Sequence, residues 1–396
     1  MIKVAFLGGH YSKEWMGGVN YLSNLLYAIS KIEDKKIEPI VFFGEKADVE
    51  IVQKFQPYAK IIQDSLFDRK SFRWFISKVL ERVFKTTLLT NNLLYRNGIS
   101  IISHSDITSG YQRFMKINWI PDFQHVHLPE FFSQENNEKR DIDFLKVLNK
   151  SDVVIVSSNN AYDDAENFAP EYIDKVKVLQ FVSQPSKKVF TLDKEYLIHL
   201  EKKYDFRGKF FYLPNQFWKH KNHMLIFRAV KTLKDMGIEV LVLCSGYMKD
   251  HRNLTYIEEI KTFIDENKLT DNIKLMGLID YDEVIYFMQY SLTVINPSLF
   301  EGWSSTVEEC KSIGKNMLLS DIPIHREQNP AKSIYFDPND RENIVEILKK
   351  VWLEDRLVSL NKKLEIQARN NLEKRTLAFG ETYQDIVLET VQGFQR

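Results

Sequence analysis

Two glutamates, Glu301 and Glu309, flank the hydroxyl run Ser304-Ser305-Thr306 in the stretch PSLFEGWSSTVEECKSIG, from Pro297 to Gly314. Pro297-Ser298 favours a turn, Gly302 and Trp303 follow Glu301, and Gly314 can close a helix. Ser305 and Glu308 fit an S-x-x-E capping box, which predicts a helix beginning at Ser305. Glu301 then lies on the loop before the helix, with Ser305 and Thr306 at its positive end. Glu309 falls about one turn in. Free N–H groups at a helix start bind anions, and carboxylates on either side can hold sugar hydroxyls. The chemistry this corner suits is the handling of a phosphorylated, polyhydroxylated group.

A second cluster, Lys219-His220-Lys221, stands where a strand over Lys209–Leu213 gives way, through Pro214-Asn215-Gln216-Phe217-Trp218, to a helix from Leu225 to Met236. Lysine is a point charge that suits a diphosphate oxygen, although isolated turn lysines are usually only solvated. With the capped helix start, the pair suits a nucleoside diphosphate: Lys221 and N–H groups at the phosphates, a carboxylate at the ribose. Two further features are less specific. Gly17-Gly18 stands at the start of a helical pattern, where bare backbone can approach a phosphate or sugar, or simply turn. Asp122, His125 and His127 follow a strand over Met115–Ile120, the strand end at which open α/β sheets place ligands. The two histidines have no convincingly spaced third ligand, so no metal is expected.

The elements needed to position these residues are present. Ile2–Leu7, Ile37–Phe43, Lys60–Ile62, Ile99–Ser103, Met115–Ile120, Asp152–Ser157 and Val176–Gln180 read as strands alternating with helices, an α/β pattern with a parallel sheet. The polar stretch Ser183-Gln184-Pro185-Ser186-Lys187-Lys188 reads as a linker, and the pattern then restarts. This gives two Rossmann-like domains facing a cleft, residues 1–185 and 206–375. A C-terminal helix over 376–396 is expected to pack back on the first domain. No G-x-G-x-x-G fingerprint is present, which argues against a nicotinamide-dependent oxidoreductase.

Composition agrees with a soluble enzyme. The 396 residues allow two ordinary domains, and 44% hydrophobic with 27% charged residues is globular usage. Lys+Arg and Asp+Glu both number 54, so no excess positive charge marks a nucleic-acid binder. Cys244 and Cys310 make neither a metal motif nor a disulfide framework, which suits a reducing cytoplasm. No signal peptide and no membrane-spanning run is read. One segment departs from the pattern. From Phe67 to Leu94, Arg69, Lys70, Arg73, Lys78, Arg82 and Lys85 face only Asp68 and Glu81, while Phe72, Phe75, Val79 and Val83 recur at helical spacing. Such a helix can lie on an anionic membrane, but base rates favour a surface helix whose apolar stripe packs on its own sheet.

Taken together, Pro297-Ser298, Phe300-Glu301-Gly302-Trp303 and Glu309 resemble the E-x7-E signature of the retaining family-4 glycosyltransferases of the GT-B fold. Lys221-Asn222-His223, Gly277, Gly314, Ser320-Asp321-Ile322-Pro323 and Glu327 extend the likeness, which runs from about residue 1 to 390. The resemblance implies transfer of a sugar from a UDP- or GDP-linked donor to a glycan or lipid-linked acceptor, with retained configuration and no cofactor or required metal. It implies surface-polysaccharide or O-antigen-type assembly as the setting. By that likeness Glu301 contacts the donor sugar near the reacting carbon and Glu309 holds the ribose. Lys221 neutralises the departing diphosphate, helped by N–H groups near Gly302, Ser304, Ser305 and Thr306 and by Gly17-Gly18.

Two positions depart from the family pattern. Gln216 stands where an Arg is usual, so neutralisation rests more on Lys221. Pro121 replaces a His whose role passes to Asp122, His125 or His127, or is absent. These two departures also sustain an alternative reading, a glycosyltransferase-like subunit that binds a nucleotide sugar or glycan without chemistry. The base, the sugar and the acceptor are not legible.

Overall fold

The computed structural model describes residues 1–8, 11, 16–84, 87–105, 110–111, 113–186, 194–354 and 361–394. The chain packs into two compact units. Met1–Phe123, Glu135–Val182 and Glu373–Arg396 form the first; Gln124–Gln134 and Ser183–Leu372 form the second.

The first unit is built on a parallel sheet of β1 (Ile2–Leu7), β2 (Ile37–Phe43), β3 (Lys60–Gln63), β4 (Ile101–Ser103), β5 (Met115–Ile120), β6 (Val153–Val156) and β7 (Val176–Val178). Their spatial order is β3-β2-β1-β4-β5-β6-β7. The central strands are near-continuous apolar runs because both faces are covered: Val4, Ala5, Phe6, Ile40, Val41 and Phe42 have 1% exposure or less. Helix α1 (Met16–Ser30) buries Leu22, Leu25, Leu26 and Ile29, the 3.6-residue periodicity that its sequence shows. The other helices of this unit are α2 (Val49–Phe55), α3 (Phe72–Phe84), α4 (Leu88–Arg96), α6 (Gln134–Lys150) and α7 (Asn159–Phe168), and the short α5 (Gln124–His127) falls in the second unit.

Around α3 the structure corrects the sequence reading in two ways. The Phe67–Leu94 segment is two helices rather than one, and Lys85 lies outside the described residues. The four apolar positions of the expected stripe are not packed on the sheet: Phe72, Phe75, Val79 and Val83 all face solvent, while Trp74, Ile76 and Leu80 are half-buried.

The second unit has β8 (Phe211–Leu213), β9 (Val242–Ser245), β10 (Ile273–Gly277), β11 (Val294–Asn296), β12 (Met317–Ser320) and β13 (Ile334–Phe336) in the order β10-β9-β8-β11-β12-β13. Successive strand residues feed opposite faces. Phe211, Leu213, Val242 and Cys244 pack with α9 (His223–Asp235), α10 (Tyr256–Glu266) and α14 (Arg341–Leu353). Tyr212, Leu243, Val294 and Met317 pack with α8 (Lys194–Lys203), α11 (Tyr281–Tyr290) and α12 (Ser305–Ile313). The period-2 alternation of side chains thus builds two cores from one sheet. Cys244 and Cys310 fall in different cores, each buried and unbridged. A short helix, α13 (Pro323–Gln328), follows β12.

The long helix α15 (Asn361–Phe394) begins in the second unit and ends in the first. In the first unit Tyr383 donates to Ser103 Oγ at 2.8 Å, and the Gln384 amide oxygen accepts from Lys36 N at 2.7 Å. No described helix is long and apolar enough to cross a membrane.

Both sheets share one topology. Numbered within each unit, the order reads 3-2-1-4-5-6, with a seventh strand added in the first, and the direction of winding reverses between the first and fourth strands. That reversal opens a crevice at the strands' C-terminal ends, the position where ligands bind in such sheets. In the second unit the crevice lies between β8 and β11.

Candidate active site

The loops leaving β8 and β11 carry the two clusters singled out from the sequence, and hydrogen bonds join them. Leu299 N donates to His220 O at 2.8 Å, Asn215 Nδ2 donates to Asn296 Oδ1 at 2.9 Å, and Thr306 Oγ1 donates to Asn215 Oδ1 at 3.3 Å. After β8 the chain makes one 3-10 turn over Lys219–Lys221 and enters α9 through Asn222 in the left-handed region, φ 56°. Asn tolerates that conformation better than most residues, and here its Nδ2 donates to Pro338 O at 3.1 Å.

Gly246, just past β9, lets the Asn215-Gln216 backbone pass. Its φ is +151°, and a Cβ there would lie 2.3 Å from Asn215 O. Gly246→Ala should therefore destabilise the fold by about 2 kcal/mol or more. Chemical denaturation would measure this, and a loss under 0.5 kcal/mol, on the order of a neutral surface change, would show that the loop is free to yield.

At the centre, Lys221 Nζ donates to both carboxylate oxygens of Glu301, at 2.7 and 2.8 Å. Both side chains are largely buried, at 15% and 8% exposure. Burial alone would raise the Glu301 pKa, but the Lys221 ammonium and the Ser298 hydroxyl outweigh it and hold the carboxyl below its usual range. Ser298 Oγ lies 2.7 Å from Glu301 Oε1, and Ser298 O accepts from Ser320 Oγ at 2.6 Å. The result is a fixed ammonium–carboxylate pair at the crevice, two charges held by a neutral hydroxyl scaffold.

His325, on α13, borders this pair. It is fully buried, and burial pushes its pKa down to about 4 against the opposing pull of Glu301. Its Nδ1 sits 2.9 Å from Ser320 O, so that nitrogen carries the proton and Nε2 is left as an acceptor. Nε2 is buried with no hydrogen-bond partner among the described residues. His220 is likewise kept neutral, by burial first and by Lys221 and Arg252 second. The basic character of Lys219-His220-Lys221 therefore comes from its lysines.

Helix α12 starts at Ser305 as expected, but its cap is Ser304 rather than Ser305. Ser304 Oγ accepts from Val307 N, and Ser305 is exposed. Glu308 is not half of a capping box. Its buried carboxylate accepts from Lys311 Nζ at 2.9 Å and from Gln328 Nε2 at 3.1 Å. Gln328 also accepts from Ser304 N and donates to Ser304 O, which pins the helix start. The Trp303 ring lies under Lys311 Nζ, 5.9 Å from the ring centre.

Glu309 is buried one turn into the helix, and its partner is the Tyr281 hydroxyl. Burial raises the Glu309 pKa to about 7, with the Tyr281 hydrogen bond opposing. The two glutamates that the sequence paired are thus electrostatically unlike. Glu301 is held ionised by a lysine, while Glu309 stands near its own titration midpoint at neutral pH.

Of the remaining candidates, Gly17 and Gly18 open α1 in the first unit, Gly17 exposed and with open space where a Cβ would project. Asp122 belongs to the first unit, where Arg140 Nη2 donates to it at 3.2 Å. His125 and His127 lie on α5 in the second unit. His125 is buried, and the His127 ring is 5.0 Å from that of Phe300, the residue before Glu301. His127 is thus seated against the Glu301 loop. Its segment is held by Arg252, which donates to Gln124 Oε1 at 3.0 Å and stacks over Phe132 and Trp218. Gln216, half-buried, is bonded through its backbone, its carbonyl accepting from Trp218 N at 2.7 Å. Among the described residues no group of three or more His, Cys, Asp or Glu is arranged to hold a metal.

Ser298, Asn215, Asn296, Gln328 and His325 escaped the sequence reading as site residues. Ser298 lies in the Pro297–Gly314 stretch and His325 just after Ser320-Asp321-Ile322-Pro323, but nothing in their spacing shows that β11, β12 and α13 converge.

Known proteins share this fold and part of this sequence pattern. Residues 200–371 match the family model described as Glycosyl transferases group 1. The O-antigen chain mannosyltransferase RfbU of Salmonella typhimurium is 18% identical over 192 residues, 48% of this chain and 49% of that protein. The chain thus aligns with about half the length of that curated relative. Among solved structures, Anabaena Alr3699/HepE in complex with UDP and glucose superposes with a TM-score of 0.68 at 12% identity, covering 98% of this chain and 99% of that one. A glycosyltransferase from Rickettsia africae gives 0.65 at 15%, covering 98% of each. Sucrose-phosphate synthase from Thermosynechococcus elongatus gives 0.63 at 13%, covering 100% and 98%. The chain has the GT-B fold, and its residues 200–371 carry the pattern of a glycosyl transferases group 1 domain.

Proposed function

We propose that this protein is a retaining glycosyltransferase of the family-4 type. It would move a sugar from a UDP- or GDP-linked donor to a glycan or lipid-linked acceptor at the cytoplasmic side of surface-polysaccharide assembly. The observation that carries the reading is the Lys221–Glu301 pair at the β8–β11 crevice of a group 1 domain. In the reaction the bond between the anomeric carbon and the diphosphate oxygen breaks while an acceptor hydroxyl oxygen bonds to that carbon. The products are the glycoside, the nucleoside diphosphate and one proton. Negative charge develops on the departing oxygen, and a pre-placed ammonium there lowers the barrier. Lys221, fixed by Glu301 and Ser298, meets that need without waiting for water to reorganise.

Glu301 serves the donor sugar from the same loop. Glu309 serves the ribose, and the N–H groups at the Ser304-capped start of α12 face the phosphates. The role of the missing family histidine would fall to His127, whose ring packs on Phe300 beside Glu301.

The test is a thermal-shift screen with UDP, GDP, ADP and their sugars, followed by turnover assays on each ligand that binds. One nucleotide should raise the melting temperature by several degrees, since tight binding at saturation adds about 2–4 kcal/mol. A matching nucleotide sugar should be hydrolysed or transferred. Stabilisation without turnover under any acceptor would move the protein to the class of binding subunits. No shift with any nucleotide would sink both readings.

A further inference from the structure

The exposed stripe on α3 has a use that the donor site does not account for. Phe72, Phe75, Val79 and Val83 are 78%, 59%, 40% and 64% exposed. Spacings of three and four residues place them on one side of the helix. At about 3.6 residues per turn, Lys78 and Arg82 follow this stripe on one flank, and the half-buried Ile76 and Leu80 adjoin it on the other. Exposed Arg69 and Lys70 precede the helix.

The local acids neutralise only part of this charge. Asp64 is engaged by Arg73 at 2.7 and 2.8 Å, and Glu81 by Lys78 at 2.7 Å. Asp68 is buried and accepts from Glu45 N and Lys46 N, both at 3.0 Å. Arg69, Lys70 and Arg82 thus have no carboxylate partner among the described residues. Two large aromatics and two valines in a row facing water are more than scattered surface apolar residues. An apolar stripe with Arg82 on its flank and Arg69 and Lys70 just ahead of it, none of the three paired with a carboxylate among the described residues, is complementary to one kind of surface. The stripe matches the acyl boundary of a bilayer, and the cations match the phosphates above it.

We propose that α3 is a docking surface for an anionic phospholipid bilayer, on which it lies with Phe72, Phe75, Val79 and Val83 inserted and Arg69, Lys70 and Arg82 among the headgroups. The proposal is independent of the nucleotide-sugar reading and holds whether or not the donor site is active.

The test is flotation of the full chain with vesicles of phosphatidylcholine alone or with about one-third phosphatidylglycerol. Anionic vesicles should carry the protein at least about tenfold better than neutral ones, with the difference shrinking as salt screens the headgroups. The triple variant Arg69→Glu, Lys70→Glu, Arg82→Glu and the double variant Phe72→Ser, Phe75→Ser should each lose most of that binding. Because these side chains are exposed, both variants should keep the wild-type melting temperature and nucleotide response. Unchanged binding by either variant, or equal binding to neutral vesicles, would overturn the assignment. So would a dimer in sedimentation velocity that the Phe72→Ser, Phe75→Ser variant dissolves without any vesicle binding, which would give the stripe to a second copy of the chain.

Discussion

Lys221→Ala should cut transfer from the donor by at least about 10²–10³-fold in kcat/KM, the loss expected when one preorganised charge at the leaving group is removed. It should also destabilise the fold by about 3 kcal/mol, because it leaves a buried carboxylate without its partner. The two losses separate in a double variant. Adding Glu301→Gln removes the orphan charge, so stability should largely return while activity does not.

The pH dependence carries the same signature. Lys221 holds the Glu301 pKa below its unfolded value, so the pair stabilises the fold above the normal carboxylate range. That stabilisation is lost as pH falls through the lowered folded pKa. In Lys221→Ala the carboxyl is buried with no cation beside it, and this acid-side loss should disappear from the unfolding curve. Activity within threefold of wild type in Lys221→Ala would refute a phosphate role for the lysine and with it the proposed chemistry.

Glu309 predicts the opposite pH behaviour from the same helix. Its pKa is raised from an ordinary 4.5 to about 7 by burial, so the folded state holds a proton that the unfolded chain has already released. Stability should therefore fall as pH rises through that window, by about 1.4 kcal/mol per unit and about 3 kcal/mol in all. Glu309→Gln, which cannot ionise, should flatten this slope and melt higher than wild type at pH 8. If Glu309 holds the ribose hydroxyls as an ionised acceptor, the same variant should bind its nucleotide about tenfold or more weakly. Wild-type affinity should then climb as pH passes 7. Isothermal titration at pH 6 and pH 8 measures both. A Gln variant that binds as well as wild type at pH 8 would leave Glu309 a structural partner of Tyr281 alone.

The contrast between the two glutamates shows what a sequence can and cannot say. Their spacing, the small residues between them and the lysine on another turn are visible in one dimension, because turn and helix signals are local. The alternation of buried strands and amphipathic helices is equally local, and it implied two parallel-sheet domains. The chain also showed where each loop leaves its strand. It could not show that β8 and β11 are neighbours, since strand order is a consequence of how crossovers stack. That adjacency alone brings Lys221 within 2.7 Å of Glu301.

The misreadings have the same origin. Ser305 with Glu308 met the local rule for a capping box, yet Glu308 is drawn to Lys311 and Gln328, and Ser304 caps. Base rates placed the α3 stripe against the sheet, but whether an amphipathic face finds a partner depends on neighbours distant in sequence. His125, His127 and Asp122 were inseparable on paper. Packing put α5 with the second unit, set His127 against Phe300 and tied Asp122 to Arg140. The sequence by itself determined which residues could do chemistry and which elements carry them. Burial and charge pairing, which exist only once the sheet is assembled, decided that Glu301 is an ion, that Glu309 titrates near neutral pH, and that a neutral His325 borders the site.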